Sequence, residues 1–331
     1  MVSIVIPAYN ASSTLPCTIE TCLEQEYPRD KLEVVVVDDG SMDGTRWIVR
    51  QYPAKYIYQQ NSGPATARNA GWTSAQGEII CFTDSDCVPA RDWVSKLVEE
   101  YTSDEIAGVG GTYDIADDSN LLAACVHEEI VQRHLRTPRY VNYLGSFNVS
   151  YRRAVLEEVG GFNESYRMAS GEDNDLAYRV IKRGYRLVFT RDAKVAHYHP
   201  HNLWRYLRQQ FWHGYWRMKL YRNHPDMARG DAYGGAADLV QPPLALATLC
   251  LLPFSFLTPI IYLVSALLIV GLGLQLPTPS AIIKRTGQIR YLALVLVTFL
   301  RGYARGLGMA LGILKLFAFE ALRDRMTNGR A

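Results

Sequence analysis

Six cysteines, Cys17, Cys22, Cys81, Cys87, Cys125 and Cys250, are spread through 331 residues with no C-x-x-C pair among them. That spacing supports neither a zinc ribbon nor a disulfide framework, and the thiols read as buried side chains in a reducing compartment. Neither G-x-G-x-x-G nor a P-loop occurs, so dinucleotide oxidoreductases and kinases have no motif behind them. A glycine-rich basic N-terminal loop, as nucleotidyltransferases use for triphosphates, is also missing. Charge is nearly balanced, 35 Lys and Arg against 33 Asp and Glu, which gives no case for a nucleic-acid partner. Met1 runs straight into the strand-like Val2-Ser3-Ile4-Val5-Ile6 without the basic and apolar regions of a secretory signal, so the N-terminal part is expected to stay in the cytoplasm. No internal repeat or low-complexity segment stands out. Apolar mass is plentiful, with 48% hydrophobic residues including 10 Phe, 21 Tyr and 6 Trp, enough for a sizeable core in one large domain or two.

Residues 1 to about 115 alternate short β-branched runs with amphipathic segments of helical length, the pattern of a doubly wound α/β sheet with mostly parallel strands. Strands are predicted at 2–6, 33–38, 55–58 and 78–83, and helices near 12–25, 43–51, 64–75 and 91–101, with Ser12, Asp43 and Asp92 as N-caps. Such sheets bind ligands beyond the carboxyl ends of their strands. Pro7-Ala8-Tyr9-Asn10, Asp38-Asp39-Gly40-Ser41 and Asp84-Ser85-Asp86 would then meet on one rim, the setting of a nucleotide site.

The apolar run ending at Phe82 gives way to Asp84 and Asp86 in a polar turn. Hard carboxylate oxygens on a short turn suit Mg²⁺ or Mn²⁺, cations usually shared with substrate phosphates, so a phosphate ester is the expected substrate. Asp-x-Asp recurs at Asp173 and Asp175, so position carries more weight than pattern. Leu176, Val180 and Ile181 share a helical face, which puts Glu172 and Asp173 at a helix N-terminus. The plain alternative is a pair of first-turn acids that only suit the helix dipole.

From Val240 the composition changes. Residues 240–276 carry no charge and are interrupted by Pro242, Pro243, Pro253 and Pro259. One spanning helix needs about 20 apolar residues, so this run suits two short spans or a re-entrant hairpin turning between Pro253 and Pro259. Arg217, Lys219, Arg222 and Arg229 precede it, and Lys284, Arg285 and Arg290 follow, which predicts both ends on the cytoplasmic side. The last apolar stretch, Tyr291 to Phe319, contains Arg301, Arg305 and Lys315. A charge at mid-bilayer costs at least about 2.5 kcal/mol, so an interfacial amphipathic helix or a broken segment over 289–320 is expected. There Arg301 and Arg305 would snorkel to headgroups, or meet lipid phosphate or an acceptor pyrophosphate.

Four motifs stand in order: Val2 to Asn10, Val34 to Thr45, Asn61 to Gly71 and the Asp84-x-Asp86 turn. Together they closely resemble the family 2, GT-A-fold glycosyltransferases. The resemblance continues through Gly145-Ser146-Phe147-Asn148, Val159-Gly160-Gly161-Phe162, Gly171 to Leu176 and Gly184-Tyr185-Arg186-Leu187, covering about 1–215, and the tail resembles the membrane-attached subset. It implies a GT-A catalytic domain over 1–225 and a membrane-associated helical region over 226–331. The implied chemistry is a metal-dependent, inverting transfer from a nucleoside-diphosphate sugar, UDP before GDP, with Mn²⁺ or Mg²⁺ as cofactor.

Carried onto this sequence, the resemblance makes Asp39 the acceptor of hydrogen bonds from the base, with Pro7, Ala8, Tyr9, Asn10, Gly63 and Ser85 around the donor; otherwise Asp39 is a turn former before Gly40. Arg68 would contact the phosphates or hold Asp84, unless it is a surface arginine. Asp84 and Asp86 would hold the metal, with His197, or alternatively His199, completing the set. Asp173 would be the general base, beside Glu172. Trp212 and Trp216 would stack on an acceptor sugar or anchor the membrane interface. The Gln-x-x-Arg-Trp motif of processive synthases is absent, because the third residue after Gln209 is Trp212.

The expected protein is therefore a cell-membrane glycosyltransferase with its catalytic domain on the cytoplasmic face. It would act on a lipid-linked or polymer acceptor in cell-envelope polysaccharide or glycan assembly. Alternatives are a polyprenyl-phosphate glycosyl synthase, which has no hydroxyl to deprotonate, and a silent nucleotide-sugar-binding scaffold.

Overall fold

The computed structural model describes residues 1–226 and 236–315. Arg229 and the end of the segment expected over 289–320 lie outside the described residues. Two compact units are formed, residues 1–118 with 133–199, and residues 119–132 with the described residues from 200 onward.

The first unit is built on one sheet. Its strands are β1 (Val2–Ala8), β2 (Leu32–Asp38), β3 (Lys55–Tyr58), β4 (Ile79–Thr83), β5 (Cys87–Pro89), β6 (Ile106–Ile115), β7 (Tyr140–Val141), β8 (Asn148–Arg152) and β9 (Arg186–His197). They lie in the order β3-β2-β1-β4-β8-β6-β9-β5, with β7 also on β9. β1 pairs in parallel with β2 and β4, and β2 with β3, so the first four strands all end at one rim. β8 runs antiparallel between β4 and β6, and β9 runs parallel to β6.

Helices α1 (Leu15–Leu23), α2 (Thr45–Val49), α3 (Pro64–Ser74) and α4 (Trp93–Glu99) alternate with these strands. α5 (Leu121–His134) belongs to the second unit up to Gln132, and α6 (Arg153–Val159) and α7 (Glu172–Lys182) return to the first. Ile4, Ile6, Val34 and Val36 face Leu15, Ile19, Val49, Trp93 and Leu97. Val5, Val35 and Val37 face Ala65, Ala67, Trp72, Leu176 and Val180. Successive side chains point to opposite faces and both faces are covered, so the strands read as unbroken apolar runs. Each fully buried Val or Ile contributes about 1.5–3 kcal/mol.

All four predicted strands are present, with β1 running on to Ala8. The predicted caps need correction. Thr14 precedes α1, and the Ser12 amide instead donates to Asp43 Oδ2 at 3.0 Å. Gly44 occupies the N-cap of α2, while Asp43 Oδ1 accepts from the Thr45 amide and hydroxyl. Burial raises the Asp43 carboxyl, but the bonds from Thr45 and Ser12 prevail and bring it down to about 2. Asp92 stands at the N-cap of α4 without a side-chain capping bond. Asp43 therefore stitches two loops together, a long-range role that a local capping rule cannot show.

The second unit holds α8 (Leu203–Asn223), α9 (Ala236–Leu251), α10 (Thr258–Gly273), α11 (Pro277–Thr286) and α12 (Ala293–Ile313). Among the described residues, three helical stretches are long and apolar enough to cross a membrane: Ala237–Phe254, Thr258–Thr286 and Ile289–Ile313. The expected hairpin is there as α9 and α10, turning around Leu252–Phe254. Of the two forms expected for the last segment, the broken one is not found, because α12 is continuous over 21 residues, and neither arginine is left to snorkel. Arg301 donates to both Glu129 oxygens at 2.6 and 2.8 Å, and Arg305 to Gln210 Oε1 and Asp238 Oδ1 at 2.9 Å. A charge buried in an apolar setting needs a bonded counter-charge, and here other parts of the unit supply it. α8 passes close enough to α12 that a Cβ at Gly308 would lie 1.9 Å from the Phe211 carbonyl oxygen.

Candidate active site

The rim of the first unit is built from the loops that follow β1, β2 and β4. After β1, Asn10 adopts a φ of 50° in the left-handed region. Its Oδ1 accepts from the Met42 amide at 2.8 Å and its own amide donates to Ser41 Oγ at 2.9 Å. Tyr9 is half-exposed beside it, whereas Ala8 is buried as the last residue of β1. After β2, Asp38 accepts from the Ser41 amide and from the Tyr56 hydroxyl, both at 2.8 Å. Asp39 is buried, its Oδ1 receiving Gln59 Nε2 at 2.6 Å and the Ser62 amide at 2.8 Å, and its Oδ2 the Gly63 amide at 2.9 Å. One carboxylate thus fixes the entry to α3. Gly63 there has a φ of 97°, and a Cβ would sit 2.8 Å from the Arg167 carbonyl oxygen, so this turn demands glycine.

Arg68, one turn into α3, is 1% exposed and is no surface arginine. Its NH2 donates to Asp84 Oδ1 at 2.7 Å and its NH1 to Glu172 Oε1 at 2.9 Å. The guanidinium also lies over the Phe162 ring at 5.5 Å, and Phe162 packs edge-on against Phe82 of β4. One buried cation therefore joins the turn after β4 to the start of α7. Ser85 is fastened through its carbonyl oxygen to the Thr18 hydroxyl at 3.1 Å.

α7 opens after Gly171, whose φ is 93°. Asp173 in its first turn accepts from the Asn174 amide at 2.8 Å and the Tyr143 hydroxyl at 3.3 Å. Burial raises the Asp173 carboxyl against those bonds. Burial first, and the charge of Asp173 second, push Glu172 up to about 7 against the pull of Arg68. Glu172 Oε2 is buried and makes no hydrogen bond among the described residues. Asp175 does something else. Its Oδ2 receives Arg179 Nε at 2.8 Å, and Arg179 in turn donates to the carbonyls of Val159 and Gly161. The second Asp-x-Asp thus splits, Asp173 accepting from Tyr143 and Asp175 bracing α6 through Arg179.

Asp86 turns to a different neighbour from Asp84, with its Oδ1 3.6 Å from His197 Nε2 at the end of β9. Its side chain is 44% exposed, so the pair opens to solvent. The His197 and His199 rings are 5.0 Å apart, and His197 stands edge-on to Tyr113, which stacks on Phe147 at 3.6 Å. A carboxylate and an imidazole at this spacing can share one divalent cation, and the nitrogen ligand suits Mn²⁺ better than Mg²⁺. The close approach of His197 to Asp86 favours it over His199, which is buried.

Trp212 and Trp216 lie on α8 of the second unit, each edge-on to Tyr215, with Lys219 Nζ 5.3 Å from the Trp216 ring. Gln59, Ser62 and Tyr143 are partners of Asp39 and Asp173 that sequence reasoning missed. Tyr143 falls in the least patterned part of the chain. Other polar residues between Tyr113 and Tyr143, a stretch without motifs, have structural partners: His134 Nδ1 is 2.8 Å from Thr112 Oγ1, and Glu128 forms an ion pair with Arg285 within the second unit.

The family model for glycosyl transferase family 2 matches residues 3–160. Glycosyltransferase AglE of Haloferax volcanii is 30% identical over 203 residues, 59% of this chain and 66% of its own length. Probable glycosyltransferase YdaM of Bacillus subtilis is 28% identical over 249 residues, 70% of this chain and 55% of its own. The chain thus spans between about half and two thirds of the length of these curated relatives. Among solved structures, the mannosyltransferase PcManGT from Pyrobaculum calidifontis, in complex with GDP-Man and Mn²⁺, shares the fold with a TM-score of 0.58 at 24% identity, over 96% of this chain and 87% of that one.

Proposed function

Since this chain belongs to glycosyl transferase family 2 and carries the GT-A fold, we propose that it performs a divalent-cation-dependent, inverting transfer of a sugar from a nucleoside diphosphate to a lipid-linked or glycan acceptor at a membrane. The observation that carries this reading is the Arg68 bridge, which ties the acidic strand end at Asp84 to the acid pair Glu172 and Asp173. Donor and acceptor chemistry would thereby meet at one rim.

The nucleoside would lie over Pro7, Ala8, Tyr9 and Asn10, with Asp39, Gly63 and Ser85 around it. Among the described residues Gln59 is the one side-chain donor to the Asp39 carboxylate, so the base would take its place while Ser62 and Gly63 keep the carboxylate oriented. Asp86 and His197 would hold the cation, and Arg68 would keep Asp84 at the same turn. When bound, the cation would neutralise charge growing on the departing diphosphate. Asp173 would take the proton from the acceptor hydroxyl as its oxygen attacks the anomeric carbon opposite the diphosphate. Tyr143 and the Asn174 amide orient that carboxylate.

α9, α10 with α11, and the Ile289–Ile313 stretch would anchor the protein in the cell membrane. Arg217, Lys219 and Arg222 before the first, Lys284 and Arg285 at the end of the second and Arg290 at the start of the third favour a cytoplasmic catalytic unit. The test is thermal stabilisation of the detergent-solubilised protein by UDP, GDP and their sugars with Mn²⁺, Mg²⁺ or EDTA. One nucleotide should stabilise the wild type in a cation-dependent way that Asp86→Asn loses. A folded protein that answers to none of them would sink the reading.

A further inference from the structure

Where the chain returns to the first unit from α5, arginines gather on the surface. Arg133 is the first residue past the part of α5 that belongs to the second unit, and Arg136 and Arg139 follow it at intervals of three. The helical turn runs on beyond α5, the Arg136 amide donating to the Arg133 carbonyl at 2.9 Å and the Thr137 amide to that of His134 at 3.2 Å. β9 adds two more arginines. Arg191 donates to the carbonyls of His134 and Leu135 at 3.3 and 2.8 Å, and the Arg186 guanidinium lies over the Tyr140 ring at 5.3 Å. Carboxylates meet two of the five, Arg139 bonding Glu100 at 2.6 Å and Arg186 lying 3.5 Å from Glu105, yet both arginine side chains stay more than half exposed. Among the described residues, Arg136 and Arg191 have no carboxylate partner. Leu135 and Tyr140 put apolar surface among the charges, 46% and 51% exposed. On α5 itself, Arg133 stands five residues, about 7.5 Å of helix, past Glu128. Glu128 pairs with Arg285 at the end of the apolar stretch Thr258–Thr286.

We propose that this arginine face, with Leu135 and Tyr140 at its centre, docks the catalytic unit on an anionic lipid leaflet. The inference rests on reading the second unit as membrane-embedded and adds to it a lipid-charge contact made by the first. A guanidinium is weakly hydrated and can bond two phosphate oxygens at once, which suits it to lipid headgroups. Tyrosine settles at headgroup level with its ring toward the acyl boundary, and an adjacent leucine adds apolar area there. Basic clusters of about this size beside an apolar span are attracted to anionic leaflets, each charge being worth about fivefold in affinity near the surface. Docked in this way, the catalytic unit would rest on the leaflet from which a lipid-linked acceptor is drawn.

The test reconstitutes the full chain into vesicles, in a Cys17→Ser, Cys250→Ser background that removes the two cysteines that are not buried, with a fluorophore attached through Leu135→Cys. The vesicles are phosphatidylcholine, alone or with about 30% phosphatidylglycerol, and carry a nitroxide-headgroup lipid as quencher. Quenching should rise on the anionic vesicles and fall back in about 1 M salt, where the Debye length is about 3 Å. Arg136→Glu breaks no side-chain bond and should abolish most of the rise, because two charge units are worth about 25-fold near the surface; Arg136→Lys should keep it. A label placed instead through Met42→Cys, at a position 88% exposed and outside the arginine face, should not respond to lipid charge. Equal quenching on neutral and anionic vesicles, a rise that survives Arg136→Glu, or the same rise at both labels overturns the inference. Carbonate extraction tells the two readings apart: a protein that stays in the vesicles without the rise loses only the docking face, and one that is stripped from them loses the membrane reading as well.

Discussion

Arg68 and Glu172, 104 positions apart in the chain, meet in a 2.9 Å ion pair that leaves both about 1% exposed, while the other arm of the guanidinium holds Asp84. A planar fork with fixed donors sets the separation of two elements in a way a flexible ammonium does not. The strand end that would face the donor and the helix start that would face the acceptor are thus held in register by one side chain.

Removing that side chain strands Glu172 in a dry site and releases Asp84. Arg68→Ala should cost about 3–5 kcal/mol of stability, the usual penalty for breaking a buried pair from one side. Arg68→Lys can keep one of the two bonds and should fall between Arg68→Ala and the wild type. Chemical denaturation in detergent measures both. A loss below about 1 kcal/mol for Arg68→Ala would show that the pair does not hold the rim together.

Asp173→Asn tests the acceptor chemistry. If Asp173 removes a proton from a hydroxyl, turnover should fall by about 10²–10⁴, while nucleotide-dependent stabilisation remains, because Asp39, Asp84 and Asp86 are untouched. Full activity in the variant would instead favour a phosphate acceptor, which has no hydroxyl proton to lose.

The places where apolar runs stop were legible in the sequence. Asp39, Asp84 and Asp86 stand out because a buried strand cannot continue through a carboxylate, and Gly63-Pro64 marks a helix start. Pairings across long sequence distances could not be read. Nothing local distinguishes Glu172 as the partner of Arg68, or Tyr143 as the hydroxyl on Asp173. Asp43 looked like a helix cap because capping rules see only its own neighbours, whereas its second oxygen serves Ser12. Arg301 and Arg305 looked destined for headgroups for the same reason, since Glu129 is 172 positions from Arg301.

Glu172 also predicts how stability depends on pH. Its carboxyl rises from 4.5 to about 7 on folding, so between those values the folded protein binds more protons than the unfolded chain. The stability linked to this group is present below about pH 4.5 and is lost as pH rises through 7, at no more than about 1.4 kcal/mol per pH unit. Glu172→Gln keeps an oxygen for Arg68 but cannot titrate. The variant should gain on the wild type between about pH 5 and pH 8 in denaturant midpoint. A difference between the two proteins that is the same at both pH values would refute the assignment.

Arg301 and Glu129 make the corresponding test in the second unit. The pair is bidentate and 6% exposed on each side chain, with the Tyr206 hydroxyl 3.4 Å from Arg301 NH1 and Asp238 at 4.0 Å from NH2. Arg301→Ala alone should cost about 3–5 kcal/mol, because an uncompensated carboxylate is left inside an apolar unit. Replacing both partners by apolar residues of similar volume, Glu129→Leu with Arg301→Met, removes the desolvation penalty along with the attraction, and should come within about 1 kcal/mol of the wild type or exceed it. The double-mutant cycle separates these cases, since its coupling energy reports the pair once each single change is subtracted. Because Asp238 also holds Arg305 at 2.9 Å, the cycle is repeated with Asp238→Asn. A coupling that vanishes in that background would locate the stabilisation in the three-residue network, and one that persists would locate it in the Glu129–Arg301 fork itself.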